Sequence, residues 1–164
     1  MKGILNPAEI EELLHRQVVG RLACCAEGEI YMVPISYAYD GEYIYCHTEE
    51  GLKTTMMRKN PRVCFQADEM RNMAQWKSVI TWGEFEELTN ENDKEKALNI
   101  LMNRSLPIAS SETTHLGSQW PFLAGGTEDV GGVFFRIHIY KKTGRFEKER
   151  KSHNNILFFV YCHS

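Results

Sequence analysis

The sequence predicts a mainly β domain with interspersed helices (α+β class), in which six or so mostly antiparallel strands form a small barrel. Three observations predict it: segments rich in aromatic and β-branched residues, acid–glycine pairs between them, and helical patterns outside the strands. The pairs Glu27-Gly28 and Asp40-Gly41 are typical of tight hairpins, which join antiparallel but not parallel strands. We expect one domain over residues 1–164, with helices covering the openings of the barrel.

The first predicted element is a helix that begins after Asn6. Asn6 can cap it, Pro7 suits the first helical position, and Glu9 stands where a capping-box acid is expected. Apolar residues then recur at helical spacing, at Ile10, Leu13, Leu14 and Val18. The pattern predicts a helix that packs one face on the barrel.

The strands follow in order, separated by turn and helix signals. We expect them at RLACCA, EIYMVPISYAY, EYIYCH, RVCFQAD, WKSVITWGEFEEL and GVFFRIHIY. The last of these is expected to turn at KKTGR. A short helix of about Gly51 to Lys59 lies between the third and fourth strands, and NENDKEKALNILMNRSL, capped by Asn90 or Asn92, forms a longer helix. The stretch 107–132, with two prolines and five glycines, predicts a long loop.

Composition and charge exclude several classes of function. The formal net charge of −3 gives no overall attraction to nucleic acid or to an anionic membrane, so any anion site must be local. The longest apolar run, Ile156 to Cys162, is about a third of a membrane span and is predicted as a last strand. The N-terminus has no secretory signal, and five cysteines without framework spacing indicate reduced thiols, so we expect a cytoplasmic protein.

Common metal and catalytic motifs are missing from the chain. It has no CxxC or HxxxH, and Cys24 and Cys25 are adjacent in a predicted strand, so their side chains point to opposite faces. No nucleophile elbow, Walker loop or GxGxxG occurs. We therefore expect no metal site and no hydrolytic chemistry.

The short helix carries the elements of a phosphate site. With Thr48 as its cap, the backbone N–H groups of Glu50 to Leu52 would be the first unpaired donors, and Lys53 would add a charge one turn in. The acidic pair Glu49-Glu50 would repel a phosphate that it faced. The alternative is a capped surface helix with a solvated lysine.

Pro34 lies in the middle of the predicted strand YMVPISY. A proline is expected there only at a sheet edge, a bulge or an interrupted ladder. The neighbouring Val33, Ile35 and Ser36 would then have backbone groups free for a flat heteroaromatic ring, with apolar side chains as pocket walls. The alternative is an edge strand whose proline prevents aggregation.

Taken together, these segments resemble the FMN-binding split-barrel family, which includes pyridoxamine phosphate oxidases and nitroimidazole-resistance reductases. The resemblance lies in the order of GRLA, YMVPISYAYDGEYIYCHT, GLK, NPRVCF and SVITWG. It is strongest over residues 6–82, with a weaker echo in the C-terminal strand and tail, about 132–164. The nitroimidazole-resistance type is most similar, because its YxH strand end also precedes a glycine-x-lysine. Pyridoxamine phosphate oxidases carry arginine-lysine where this chain has Leu52-Lys53.

The resemblance implies a six-stranded antiparallel split barrel that binds FMN at the interface of a homodimer. It places the FMN ring along Val33, Pro34, Ile35, Ser36 and Tyr37. Cys46 and His47 would lie beside the cofactor, and Lys53 would hold its phosphate. A neighbouring strand would supply Lys77, Ser78 and Val79. Trp120 in the long loop is a candidate lid residue.

The implied activity is that of an FMN-dependent oxidoreductase, which passes electrons from a reduced pyridine nucleotide, NAD(P)H, to a small acceptor such as a nitro compound or a quinone. His47 could move a proton near the ring, or it could only position the cofactor. One alternative is a non-catalytic flavin- or haem-binding protein for stress, storage or sensing, with His47, His138, His153 or His163 as the haem ligand. A second is pyridoxamine 5'-phosphate oxidase activity, which Leu52 and the acidic pair disfavour. The tail 151–164 departs from the family pattern.

Overall fold

The computed structural model describes residues 1–104 and 131–149, in which three helices and seven strands alternate. The strands are β1 (Lys2–Ile4), β2 (Val19–Ala26), β3 (Glu29–Tyr39), β4 (Tyr43–Thr48), β5 (Arg62–Asn72), β6 (Gln75–Glu87) and β7 (Val133–Glu147). The helices are α1 (Pro7–Arg16), α2 (Leu52–Lys59) and α3 (Glu91–Met102). No helix within these ranges is long and apolar enough to cross a membrane.

The strand pairings form a closed circuit. The order is β1-β7-β4-β3-β2-β5-β6, and β6 pairs in turn with β7, so six strands enclose a common interior while β1 lies beside β7. Every pairing is antiparallel. Tight hairpins explain this, and Glu27 and the two glycines Gly28 and Gly41 have the positive φ angles that such turns require. The predicted antiparallel α+β barrel is confirmed.

The predicted turn at KKTGR is wrong. β7 continues through these residues, because Lys141 to Arg145 pair with β6 and Arg145 also pairs with Ile4 of β1. β1 was not predicted, and it is three residues long. Gly144 serves packing rather than a turn, since a Cβ at this position would lie 2.8 Å from the side chain of Leu5.

Two helix starts follow the predicted capping chemistry. The side chain of Asn6 accepts a hydrogen bond from the Glu9 N–H at 2.9 Å, and the Glu9 carboxylate accepts one from the Asn6 N–H at 3.0 Å. Asn90, one of the two predicted caps, accepts a bond from the Asp93 N–H at 3.2 Å. Each cap satisfies N–H groups that have no partner within the helix.

The apolar residues form two clusters. The larger one fills the barrel and includes the buried face of α1, at Ile10, Leu13 and Leu14. The smaller lies outside the sheet, where Ala97, Leu98 and Leu101 of α3 pack near Tyr45 and Phe134. Helix α1 therefore covers an opening of the barrel, as predicted, while α3 covers part of its outer surface.

A polar cluster links α1, β3 and β7. Lys142 Nζ donates to the Glu11 carboxylate at 2.6 Å and also contacts the Tyr39 hydroxyl, which donates to Glu11 at 2.7 Å. Burial raises the pKa of the Glu11 carboxyl, but hydrogen bonds from Lys142 and Tyr39 lower it by more, so the pKa lies below its ordinary value of 4.5. The ionised form of Glu11 is thus favoured in the folded protein.

This cluster predicts a specific loss of stability in acid. A carboxyl whose pKa is lowered by folding stabilises the fold above its unfolded pKa, and that stabilisation is lost as the pH falls through the folded pKa. We expect Glu11→Gln to flatten the fall in unfolding free energy between about pH 5 and pH 3, measured by urea unfolding. Glu12→Gln, at an exposed position on the same helix, is the control and should leave the profile unchanged. Identical profiles for wild type and Glu11→Gln would contradict this prediction.

Candidate functional site

One edge of β3 has no strand beside it in the described structure. Residues Glu29 to Ser36 pair with β2 on one side, whereas only Tyr37 to Tyr39 pair with β4 on the other. Pro34 lies within the half-paired stretch, opposite Arg21 of β2. The proline thus occupies a sheet edge, one of the three settings that the sequence allowed.

The hydrogen-bond alternation shows which backbone groups face the open edge. The Tyr37 N–H donates to the Val18 carbonyl at 2.9 Å, so odd-numbered residues from Val33 to Tyr37 direct their backbone groups towards β2. Pro34 and Ser36 direct theirs to the open edge. The missing N–H of Pro34 therefore costs no ladder bond, and the Ser36 N–H and the Pro34 carbonyl face the space beside the strand.

The side chains of this segment divide between the two faces of the sheet. Ile35 and Tyr37 are buried in the barrel, and Val33, half-buried, lies on the same face. Pro34 and Ser36 are exposed on the outer face. A flat ligand along this edge would meet the outer face of Pro34 and Ser36 and their backbone groups.

Helix α2 begins later than the expected cap. Thr48 is the last residue of β4, and the N-cap is Gly51, whose N–H donates to Thr54 Oγ1 at 3.0 Å. The first intrahelical bond runs from the Thr55 N–H to the Gly51 carbonyl at 3.1 Å. The prediction of Thr48 as the cap was wrong because three residues separate the strand from the helix. The N–H groups without intrahelical partners are therefore those of Leu52 to Thr54.

Lys53 lies in the first turn of α2 and is half-buried. It makes no hydrogen bond or ion pair within residues 1–104 and 131–149, whereas Lys59, at the other end of the helix, pairs with Glu27 at 3.0 Å. Burial raises the pKa of the Cys24 thiol in β2, and the nearby charge of Lys53 acts against that rise. A cation at the positive end of the helix dipole is unfavourable by itself, and a bound anion would offset this cost.

The acidic residue before α2 is held by an arginine. Arg58 donates to Glu50 at 2.6 and 2.9 Å and to Glu87 of β6 at 2.6 and 2.7 Å. Hydrogen bonds from Arg58 and Thr54 lower the pKa of the Glu50 carboxyl. Arg58 therefore compensates the charge of Glu50, which reduces the repulsion that the sequence led us to expect for an anion near Lys53.

Cys46 and His47 lie near the end of β4, beside the β3 segment, where Cys46 pairs with Tyr37. The Cys46 side chain is fully buried, and burial raises the pKa of its thiol. His47 Nε2 lies 2.7 Å from the Gly131 carbonyl, and its ring packs on Phe134 with centroids 4.5 Å apart. Because a carbonyl only accepts, Nε2 carries the proton in this contact.

Lys77, Ser78 and Val79 lie on another side of the barrel. They belong to β6, which two strands separate from β3 in either direction around the closed circuit, about 14 Å measured along the sheet at the usual strand spacing. Val79 is buried in the core, while Ser78 accepts a hydrogen bond from Gln66 at 3.0 Å. Within one protomer the β3 edge adjoins the end of β4 through the Tyr37–Cys46 pair, and three residues separate β4 from α2, whereas Lys77 to Val79 belong to another part of the barrel.

Several expectations fall outside residues 1–104 and 131–149. These are the lid candidate Trp120, most of the long loop, the tail 151–164 and the histidines His153 and His163. Within the described ranges no cluster of His, Cys, Asp or Glu could hold a metal ion. Sequence reasoning missed the role of Arg58, since its partners Glu50 and Glu87 meet it only in the folded chain.

These features define an antiparallel barrel of the split-barrel class, with an open edge on β3. The sequence matches the family described as pyridoxamine 5'-phosphate oxidase over residues 6–145. The chain belongs to this family.

Known relatives agree with this membership. A crystal structure of a FAD-binding protein from Mesorhizobium loti is 31% identical, covers 90% of this chain and 99% of that chain, and superposes with a TM-score of 0.70. A protein of Bacteroides thetaiotaomicron, described as a candidate 5-nitroimidazole antibiotic resistance protein, shares the fold at 19% identity. The match covers 89% of this chain and 87% of that chain, with a TM-score of 0.68. An uncharacterised protein of Rhizobium meliloti (strain 1021) is 38% identical over 85 residues, which are 52% of this chain and 56% of its own length.

Proposed function

We propose that the protein is an FMN-dependent oxidoreductase that reduces a small acceptor, such as a nitro compound or a quinone, with electrons from a reduced pyridine nucleotide. The observation that carries the proposal is the open edge of β3 at Pro34 and Ser36, to which Lys53 in the first turn of α2 adds a cation without an acidic partner in the described ranges. The FAD-binding relative from Mesorhizobium loti supports a flavin. A single half-buried lysine beside one helix start suits the single phosphate of FMN.

The residues of the chain would hold the cofactor in distinct ways. The Ser36 N–H and the Pro34 carbonyl would bond to the polar edge of the ring, and Lys53 with the Leu52 to Thr54 N–H groups would bind the phosphate. When bound, FMN supplies the electron transfer itself, while the protein provides orientation and electrostatics. Gly132 brings the chain close to His47: a Cβ there would lie 3.0 Å from His47 Nε2 and 2.6 Å from the Thr48 carbonyl.

The proposed assembly is a homodimer with the cofactor at the interface. Ile30 and Met32 of β3 are 78% and 61% exposed, and they lie on the same outer face as Pro34 and Ser36. Large exposed apolar side chains in one row favour association. A second copy placed on this face would supply Lys77, Ser78 and Val79, which within one protomer lie on the opposite side of the barrel from the β3 edge.

The first test is a visible absorption spectrum of the protein purified without added cofactor, followed by mass spectrometry of the released chromophore. We expect a flavin spectrum and the mass of FMN. Release of FAD would show that the cofactor is FAD and not FMN. An intense haem band would favour haem binding in place of flavin binding. A colourless protein that also fails to bind added FMN would refute the proposed function.

The role of His47 is tested by His47→Gln. If His47 moves a proton to or from the reacting group, turnover with a nitro acceptor should fall about a hundredfold or more, because general acid–base groups contribute on that scale. Gln preserves the capacity to donate to the Gly131 carbonyl, so FMN content should stay at the wild-type level. Unchanged turnover at full FMN occupancy would leave His47 with a positioning role only.

A further inference from the structure

A cavity of about 710 Å³ lies beside the end of α1, β3 and α3, away from the Lys53 site. Polar and charged side chains make up much of its lining, among them Gln17, Asn92, Lys96, Asn99, Asn103 and Arg104. His15 and the acidic Glu95 also line it, and Ala38, Tyr39 and Ile100 add apolar surface. Its volume is within the range of small-molecule pockets.

Arg104 is the unusual group in this lining. Its Nη1 donates to the Tyr37 carbonyl at 2.9 Å, while its Nε is buried without a hydrogen-bond partner among the residues that the structure describes. No carboxylate in the described ranges pairs with it, in contrast to Arg58 and Arg136, which each bind glutamate through two nitrogens. Burial lowers the pKa of the Arg104 guanidinium. Arg104 is therefore a half-buried positive charge at a cavity, and residues 1–104 and 131–149 provide no counterion for it.

The cavity and the proposed ring site share the strand β3. Ala38, in its wall, and Ser36, on the open edge, are two residues apart on the same face of β3, a separation of about 7 Å. Arg104 bonds to the carbonyl of Tyr37, the residue between them. That carbonyl points towards the β2 side of the strand, so the cavity and a ring bound along Pro34 and Ser36 would lie on opposite edges of β3, with Ala38 and Ser36 on the outer face that both share.

We propose that this cavity binds an organic anion, whose carboxylate or phosphate lies against Arg104 and supplies the missing counterion. Lys96 adds a second positive charge, and the amides of Asn99 and Asn103 can donate to the remaining oxygens of the anion. The apolar body of the ligand packs on Ile100 and Tyr39. The role of this anion as the second substrate of the flavoprotein rests on the proposed function, whereas its binding does not.

The test is isothermal titration calorimetry on the full chain, with flavin content recorded by absorption. The probes are nicotinate for a carboxylate, NADP⁺ for a phosphate-bearing ligand, and uncharged nicotinamide as the reference. We expect nicotinate or NADP⁺ to bind saturably and at least about tenfold more tightly than nicotinamide. Binding of nicotinate alone assigns a carboxylate ligand, and binding of NADP⁺ alone assigns a phosphate ester.

Variants locate the binding in the cavity. Arg104→Gln should lower the affinity for the anion about tenfold to a hundredfold, the usual range for a lost charge-assisted hydrogen bond. Arg104→Lys should recover part of this affinity. Lys96→Gln, at an exposed position, should lower the affinity for the anion a few-fold. This variant keeps the test valid if Arg104→Gln fails to fold. Arg62→Gln, an exposed arginine of β5 outside the cavity, is the matched control.

Two results would overturn the proposal: no saturable binding of either anion, or equal losses in Arg104→Gln and Arg62→Gln. Anion binding to a protein that neither contains flavin nor binds added FMN would uphold it while refuting the proposed function, so the two failures can be told apart.

Discussion

Lys53→Met is expected to raise the dissociation constant for FMN about 10- to 100-fold. The substitution removes a half-buried cation from the first turn of α2, where the described structure offers it no acidic partner. A hydrogen bond to a charged group contributes about 1.5–3 kcal/mol, which corresponds to that change in affinity. Fluorescence titration of the protein after removal of its cofactor measures the constant directly.

Lys59→Met is the matched control, because it removes the same charge from the same helix. Lys59 lies in the last turn and pairs with Glu27 at 3.0 Å, away from the helix start. We expect its FMN affinity to stay within about twofold of wild type, since exposed ion pairs contribute little. If both variants lose affinity equally, the effect is one of overall charge and Lys53 is not the phosphate ligand.

Phe65→Ala is expected to lower the free energy of unfolding by about 3–5 kcal/mol. Phe65 is 1% exposed, and its ring meets the Tyr37 ring edge-on with centroids 4.8 Å apart. Its Cζ would lie 2.1 Å from a Cβ at Gly20, so the ring fills the space that this glycine leaves. Removing it opens a cavity under the β3 segment that the proposed cofactor uses.

Urea unfolding followed by far-UV circular dichroism measures this loss, with Met70→Ala as the control. Met70 belongs to the same strand but is 69% exposed, so its truncation should change the unfolding free energy by less than about 0.5 kcal/mol. A loss of under about 1 kcal/mol for Phe65→Ala would show that the barrel repacks around the missing ring.

The main elements of the fold could be predicted because their signals are local. Hairpin pairs such as Asp40-Gly41, the Asn6 capping box and the alternation in β3 depend on neighbours a few residues away. The KKTGR prediction failed because its turn-like composition is overridden by pairing with β6 and β1, both distant in sequence. β1 was missed because three residues carry too little pattern.

The candidate site, like the fold, could be predicted only where its signals are local. Pro34 and Lys53 could be selected from the sequence because a proline within a strand and a lysine after a glycine at a helix start have local physical meanings. Folding alone decided which backbone groups of β3 face its open edge, since that depends on the register with β2. It also brought Arg58 to Glu50 and Glu87, and it placed Arg104 at a cavity where the described part of the chain offers no carboxylate partner. These contacts form only in the folded barrel, and no local sequence pattern predicts them.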